Sequence, residues 1–277
     1  MKKVLAVLLA GVLTLGLSAC GGQTAEDTAS QKTEKKAYAT DLAAIKKKGK
    51  LIIGLDDTFA PMGFRDENDK LVGFDIDLAG AVCKELGVKA EFQPIDWDAK
   101  ELELSTGKID CIWNGMSITP EREKGMSLSK PYLNNKIIIM TNQGVDIESK
   151  EDLGKFSLGT QADSSALETI KNDPIYDKIK DRLTEYKTYD QVIMDMQSGR
   201  LDAMIVDEVL GQYKNTLLNN AFQVSSVDFG EDLYAIGFRK SDTELTAAVD
   251  VALKTCVENG TAGKISEKWF GSDLLVK

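Results

Sequence analysis

The chain has 277 residues, no histidine, and a formal charge of −10 from 34 basic and 44 acidic side chains. Without histidine there is no Ser-His-Asp or Cys-His arrangement and no usual ligand for zinc or copper. The acidic balance argues against nucleic acid and against docking on anionic lipid through a basic patch, so no nucleic-acid partner, metal or cofactor is expected.

Met1, Lys2 and Lys3 open a basic segment, followed by an apolar run from Val4 to Leu17 and then Leu17-Ser18-Ala19-Cys20. This pattern reads as a lipoprotein signal peptide over residues 1–19, cleaved before Cys20, whose thiol takes the lipid. Its apolar run is too short to span a bilayer comfortably, and no second run approaches that length, so Cys20 is the expected membrane anchor. The mature protein is then expected outside the cytoplasm, tethered to the cell membrane, and on the periplasmic side if an outer membrane exists. Residues 20–44 are rich in Gly, Gln, Thr, Ala, Ser, Glu and Lys, a composition that cannot bury a core and predicts a lipidated flexible tether. The remainder is long enough for one large or two medium domains.

From Leu51 the pattern changes to short β-rich runs alternating with amphipathic helices. Strands are expected at Leu51–Leu55, Lys89–Pro94, Ile109–Trp113, Ile137–Thr141, Phe156–Thr160, Ala203–Val206 and Tyr234–Phe238. Helices are expected at Asp75–Leu86, Pro120–Gly125, Ser165–Asn172, Tyr189–Ser198, Glu208–Leu218 and Glu244–Glu258. The alternation predicts an α/β architecture with mainly parallel sheets and a ligand site at strand C-terminal ends. Crossings near Thr141–Asp146 and Val227–Asp232 divide it into lobe 1 (45–143 and 230–277) and lobe 2 (144–229). Cys83, Cys111 and Cys256 fall in these patterns as small buried apolar side chains; three cannot all pair within the chain, though one disulfide is open to them.

The order and spacing of several short motifs carry a resemblance. They are Gly54-Leu55-Asp56-Asp57-Thr58-Phe59-Ala60-Pro61, Val72-Gly73-Phe74-Asp75-Ile76-Asp77-Leu78, and Ile118-Thr119-Pro120-Glu121-Arg122. Leu201-Asp202-Ala203, Val206-Asp207-Glu208, Asn259-Gly260-Thr261 and Lys268-Trp269-Phe270-Gly271 follow. From about Gly49 to Gly271 the chain resembles the bacterial extracellular solute-binding proteins, family 3. These bind histidine, lysine, arginine, ornithine or glutamine and feed ABC importers. The resemblance implies a type II periplasmic-binding-protein fold, two lobes joined by a two-stranded hinge. It also implies high-affinity binding of one free polar amino acid, a monomeric state, and an ABC permease as partner. The alternatives are an enzyme on the same scaffold, of the cyclohexadienyl dehydratase kind, or an amino-acid-sensing or adhesive lipoprotein.

A free amino acid brings an α-carboxylate and an α-ammonium out of water, and each needs a complementary charge. Arg122 lies three residues after Thr119 at a helix start with Pro120 in the first position, and its fork suits a carboxylate. Backbone N–H groups from Gly115 to Ser117 would add donors, and Ser164 and Ser165 would close on the same carboxylate from lobe 2. Both serines read as helix N-caps, Ser165 having capping-box spacing to Glu168. Asp207 ends an apolar run before a helix and is expected to take the α-ammonium with Gly115 and Ser117, or to cap the helix, or both. By the resemblance Asp56, Phe59, Trp97, Asn114 and Gln161 line the side-chain pocket. The chain departs from the family in carrying Asp163 where glycine is common, a position an aspartate can hold in a left-handed conformation. Asp75 and Asp77 read as helix-start charges, and an enzyme would draw on Asp56, Asp57 or Glu208.

Overall fold

A computed structural model describes residues 42–276, so the expected signal peptide, Cys20 and most of the expected tether lie outside the described residues. The described chain opens with α1 (Leu42–Lys48), which begins inside the segment expected to be tether. Leu42 and Ile45, one turn apart, pack into the core, and that contact orders these residues.

The first lobe continues through β1 (Lys50–Leu55), a small antiparallel sheet of β2 (Thr58–Phe59), β3 (Gly63–Arg65) and β4 (Leu71–Val72), then α2 (Phe74–Leu86) and β5 (Lys89–Pro94). After a single 3-10 turn at Trp97–Ala99 come α3 (Lys100–Ser105), β6 (Cys111–Ile112), α4 (Pro120–Gly125) and β7 (Met126–Leu128). The second lobe is built from β8 (Leu133–Thr141), β9 (Leu158–Gln161), α5 (Ser165–Asn172), α6 (Tyr176–Ile179), β10 (Leu183–Tyr186), α7 (Tyr189–Gln197), β11 (Ala203–Asp207), α8 (Glu208–Leu217) and β12 (Gln223–Tyr234). The chain then returns through β13 (Gly237–Arg239), α9 (Thr243–Glu258) and α10 (Thr261–Phe270).

The first sheet has the order β5-β1-β6-β13-β7, with β1 parallel to β5 and β6 and the returning β13 antiparallel to β6 and β7. The apolar run of β1 suits a strand covered on both faces. Phe74, Leu78, Ala79, Val82 and Cys83 make the buried stripe of α2, and Leu245, Val249, Ala252, Leu253 and Cys256 make that of α9. These stripes recur at helical spacing and face each other, so the C-terminal helices belong to the same core as the beginning of the chain. Cys83, Cys111 and Cys256 are buried there as free thiols.

The second sheet has the order β10-β9-β11-β8-β12, parallel through β10, β9 and β11 and antiparallel where β8 pairs with β11 and β12. Strand β8 changes character along its length. Leu133–Lys136 alternates between buried and solvent-facing, whereas Ile137–Thr141 is buried throughout. The first half is a ribbon paired with β12, with a single bridge from Leu133 to Leu275 on its other side, and the second half is a central strand between β11 and β12. Ile137–Thr141 therefore sits in the second sheet, not at the end of lobe 1, and the passage between lobes comes earlier than the expected Thr141–Asp146. Alternate residues of this run enter the two core clusters, Ile137 and Ile139 one and Ile138 and Met140 the other, and the polar residues after it only form the loop out of that sheet. On the partner strand the register shifts around Asp228, beside Gly230 at φ 102°, a bulge that bends the ribbon between the sheets.

Candidate ligand-binding site

The basic pole is made locally. Thr119 caps α4 with its side chain, accepting from Arg122 N at 3.2 Å, and Pro120 occupies the first turn. This start turns Arg122 inward, where it is 4% exposed. Its Nη1 donates to Ser117 O at 2.9 Å, and Nη2 reaches toward Asp163 O at 3.5 Å. Both acceptors are carbonyls. Among the described residues no carboxylate lies at ion-pair distance from Arg122, so the surface pairing with Glu121 or Glu123 that its sequence context allows does not occur. Burial pulls the guanidinium pKa down, while Glu168, Asp163, Asp232 and Asp207 act in the opposite direction from farther off.

The acidic pole is assembled from three strands. Asp207 ends β11 with its side chain 2% exposed, accepting from Asn135 Nδ2 at 2.8 Å and from the Tyr234 hydroxyl at 2.9 Å. It makes no side-chain cap on α8, so that expected role is not taken up. Asp232 stands directly across β12 and β8 from Asn135, and the same amide nitrogen donates to Asp232 Oδ2 at 2.8 Å. Two carboxylates thus converge on one neutral donor. Burial raises the Asp207 pKa to about 7, helped by Asp232, and burial raises Asp232 as well. No cation among the described residues stands at ion-pair distance from Asp207.

Ser117 joins the poles. Its backbone carbonyl holds Arg122, its Oγ donates to Asp232 at 2.6 Å, and it shares a 2.8 Å hydrogen bond with Ser165 Oγ across the lobes. Ser164, rather than Ser165, caps α5: its Oγ accepts from Leu167 N at 3.1 Å and donates to Gln161 O at 2.7 Å. Ser165 is left in the first turn, free of capping and facing lobe 1. Gly115 donates its N–H to Asp75 at 2.7 Å, so the expected donation to a ligand carboxylate is not available there. Its φ of 55° and the closeness of Phe59 and Tyr234, 3.0 Å from an added Cβ, restrict the position to glycine.

The expected side-chain pocket gathers between the lobes. Asp56 accepts from Thr58 and, at 2.8 Å, from Gln161 Nε2 of the opposite lobe, while Asn114 Oδ1 accepts from Asp56 N. Asn114 Nδ2 is buried without a hydrogen-bond partner. Phe59 meets Tyr189 of lobe 2 with ring centroids 6.2 Å apart. Trp97 lies under two cations, Lys100 at 5.0 Å and Arg122 at 6.0 Å from its ring centroid. Asp163 adopts the left-handed φ of 55° and pairs with Lys100.

Asp75 corrects the expectation of a helix-start charge. It is buried and accepts from Gly115 N, Trp113 Nε1 and the Tyr132 hydroxyl, holding the loop after β6 that carries Asn114 and Gly115. Burial raises its pKa to about 7. Asp77 pairs with Lys268 and Trp269 near the surface. Of the carboxylates an enzyme would draw on, Asp57 pairs with Arg65, Glu208 lines a groove with Asn135, Tyr213 and Trp269, and Asp56 is engaged by Thr58 and Gln161. Sequence reading missed Asp232, Asn135, Tyr234 and Lys100. The pairing of Asp232 with Asn135 was open to it only through the expected crossing at Val227–Asp232, and Lys100 looks like any lysine on a charged helix.

The model of the bacterial extracellular solute-binding proteins, family 3, matches residues 51–272. The chain is 28% identical over 246 residues to the L-cystine-binding protein TcyJ of Escherichia coli K12, covering 86% of this chain and 90% of that protein. It is 31% identical over 274 residues to the arginine-binding extracellular protein ArtP of Bacillus subtilis, covering 98% of each. Among solved structures, an ABC uptake transporter substrate-binding protein from Streptococcus pneumoniae with bound histidine superimposes with a TM-score of 0.81 at 34% identity, over 85% of this chain and 98% of that one.

Proposed function

Because the chain belongs to family 3 of the bacterial extracellular solute-binding proteins, we propose that it binds one free amino acid between its lobes and delivers it to an ABC importer. Arg122 takes the α-carboxylate, with Ser117, Ser164 and Ser165 around it. Asp207 takes the α-ammonium, with Asp232 beside it. One observation carries this reading: a buried guanidinium lacks an anion while a buried pair of carboxylates lacks a cation, and Ser117 lies between them. Such groups are costly to bury alone, and a zwitterion supplies both missing charges at once.

Closure of the lobes excludes water and strengthens each charge-assisted bond to about 1.5–3 kcal/mol. From the middle of that range upward, four or five such bonds exceed the ~8.2 kcal/mol of a micromolar complex before the loss of ligand freedom is subtracted. Micromolar or tighter affinity is expected. The finer assignment of place is a lipid on Cys20 that tethers the protein outside the cell membrane near its permease; palmitate labelling lost in Cys20→Ala tests it. The binding reading is tested by titration calorimetry with the protein amino acids plus cystine, ornithine and citrulline. Saturable binding of at least one is expected, and no heat from any of them overturns it.

A further inference from the structure

Lys100 is a second buried cation at this site, and its surroundings differ from those of Arg122. It begins α3 one turn after Trp97, and its side chain is 1% exposed. Its Nζ donates to Trp97 O at 3.3 Å, to Asp163 O at 3.2 Å and to the Asp163 carboxylate. Lys100 and Arg122 approach the same indole and the same carbonyl of Asp163, and both line a cavity of about 340 Å³ with Ser164 and Glu168.

The Lys100–Asp163 pair is asymmetric. The lysine cannot leave the interior, whereas the Asp163 side chain is 55% exposed and belongs to the opposite lobe. When the lobes part, both Asp163 acceptors go with their own lobe and Lys100 keeps Trp97 O; closing over a ligand buries the ammonium again. A buried ammonium without its carboxylate calls for another anion. The indole offers little to a ligand cation, because two protein cations already stand over it and would repel a third.

Resting on the amino-acid reading above, we propose that Lys100 determines specificity, selecting an amino acid whose side chain ends in a carboxylate and rejecting cationic side chains. The α-carboxylate goes to Arg122, and the second carboxylate takes the place of Asp163 on Lys100 or shares the lysine with it. A ligand whose far end also carries an ammonium finds a carboxylate in Asp56 of lobe 1, which accepts from Gln161, two residues before Asp163.

The test is calorimetry with glutamate, aspartate and cystine against arginine, lysine, histidine and glutamine, on the wild type, Lys100→Met and Lys100→Arg. The wild type is expected to bind at least one of the first three roughly tenfold or more tighter than any of the others, the factor of one charge-assisted contact. Lys100→Met is expected to erase or reverse that ratio, and Lys100→Arg to keep its direction. Melting of each ligand-free variant reports whether it is folded, and the wild-type ranking stands as a test without either variant. A wild-type preference for a ligand with no second carboxylate, or a ratio unchanged in a folded Lys100→Met, overturns the inference and leaves the amino-acid reading intact. Absence of binding by every member overturns both.

Discussion

The two poles of the crevice are built by different means. Arg122 is positioned by five consecutive residues, in which Ser117 accepts its Nη1, Thr119 caps its helix and Pro120 sets the first turn. Asp207 is positioned by Asn135, Tyr234 and Asp232, which come from two other strands and meet only when β8, β11 and β12 are in register. The local pole is one guanidinium, and the cation beside it, Lys100, is already paired with Asp163. The long-range pole has two carboxylates on one amide, so it has redundancy and a proton to share. The contrast predicts unequal consequences when each pole is damaged.

The largest effect is expected from Arg122→Ala. Removing one partner of a buried charged contact costs about 2–5 kcal/mol, which places the loss of affinity at roughly thirtyfold to several thousandfold. The ligand-free variant should melt no lower than the wild type, since a buried charge without an anion is removed. Calorimetry and a melting curve check the two halves, and unchanged affinity refutes the basic pole.

A smaller loss, about tenfold, is expected from Asp207→Asn, because Asp232 remains to face the ammonium. The double variant with Asp232→Asn should lose more than the two single effects combined, and a double-mutant cycle measures the excess. Strict additivity would mean that the carboxylates act apart.

The acidic pole also titrates. A carboxyl raised to about 7 in the folded state but near 3.8 when unfolded binds more protons folded, so ligand-free stability falls as pH rises from about 4 to about 7. Asp75 adds a contribution of the same sign over the same range. Ligand binding runs the other way: an ammonium needs the ionised Asp207, so affinity should weaken as pH drops below about 7. Asp207→Asn should flatten the affinity profile, and calorimetry at several pH values reads it.

The smallest effect is expected at the hinge. Gly230→Ala places a side chain at φ 102° with open space around it, so the cost is backbone strain alone, about 1 kcal/mol. It should lower the melting temperature by a few degrees and leave the ranking of ligands unchanged.

The same contrast explains what could be read from the chain itself. Pro120–Gly125 and Ser165–Asn172 were legible to the residue because their caps and turns are local. The apolar runs of β1 and β11 announced central strands for a similar reason. Strand β12 was not legible: Gln223–Tyr234 mixes serines and acids with few apolar residues and is broken by bulges, since it is an edge strand and half ribbon. Its Asp232 was lost with it. Helix α3 was hidden because Lys100-Glu101-Leu102-Glu103 reads as a solvated face, although Lys100 is buried and Leu102 is exposed. The motif ending in Lys268-Trp269-Phe270-Gly271 was noticed, but not as the helix Thr261–Phe270 that covers α2. The boundary between lobes was misplaced because a continuous isoleucine run tells that a strand is buried and not which core buries it.

The most direct measurement is a crystal structure of the protein with its amino acid bound. The α-carboxylate is expected on the Arg122 guanidinium and the α-ammonium within hydrogen-bonding distance of Asp207, with Ser117 between them. A ligand bound in the reverse sense, or seated elsewhere while both side chains keep their present partners, would contradict that placement.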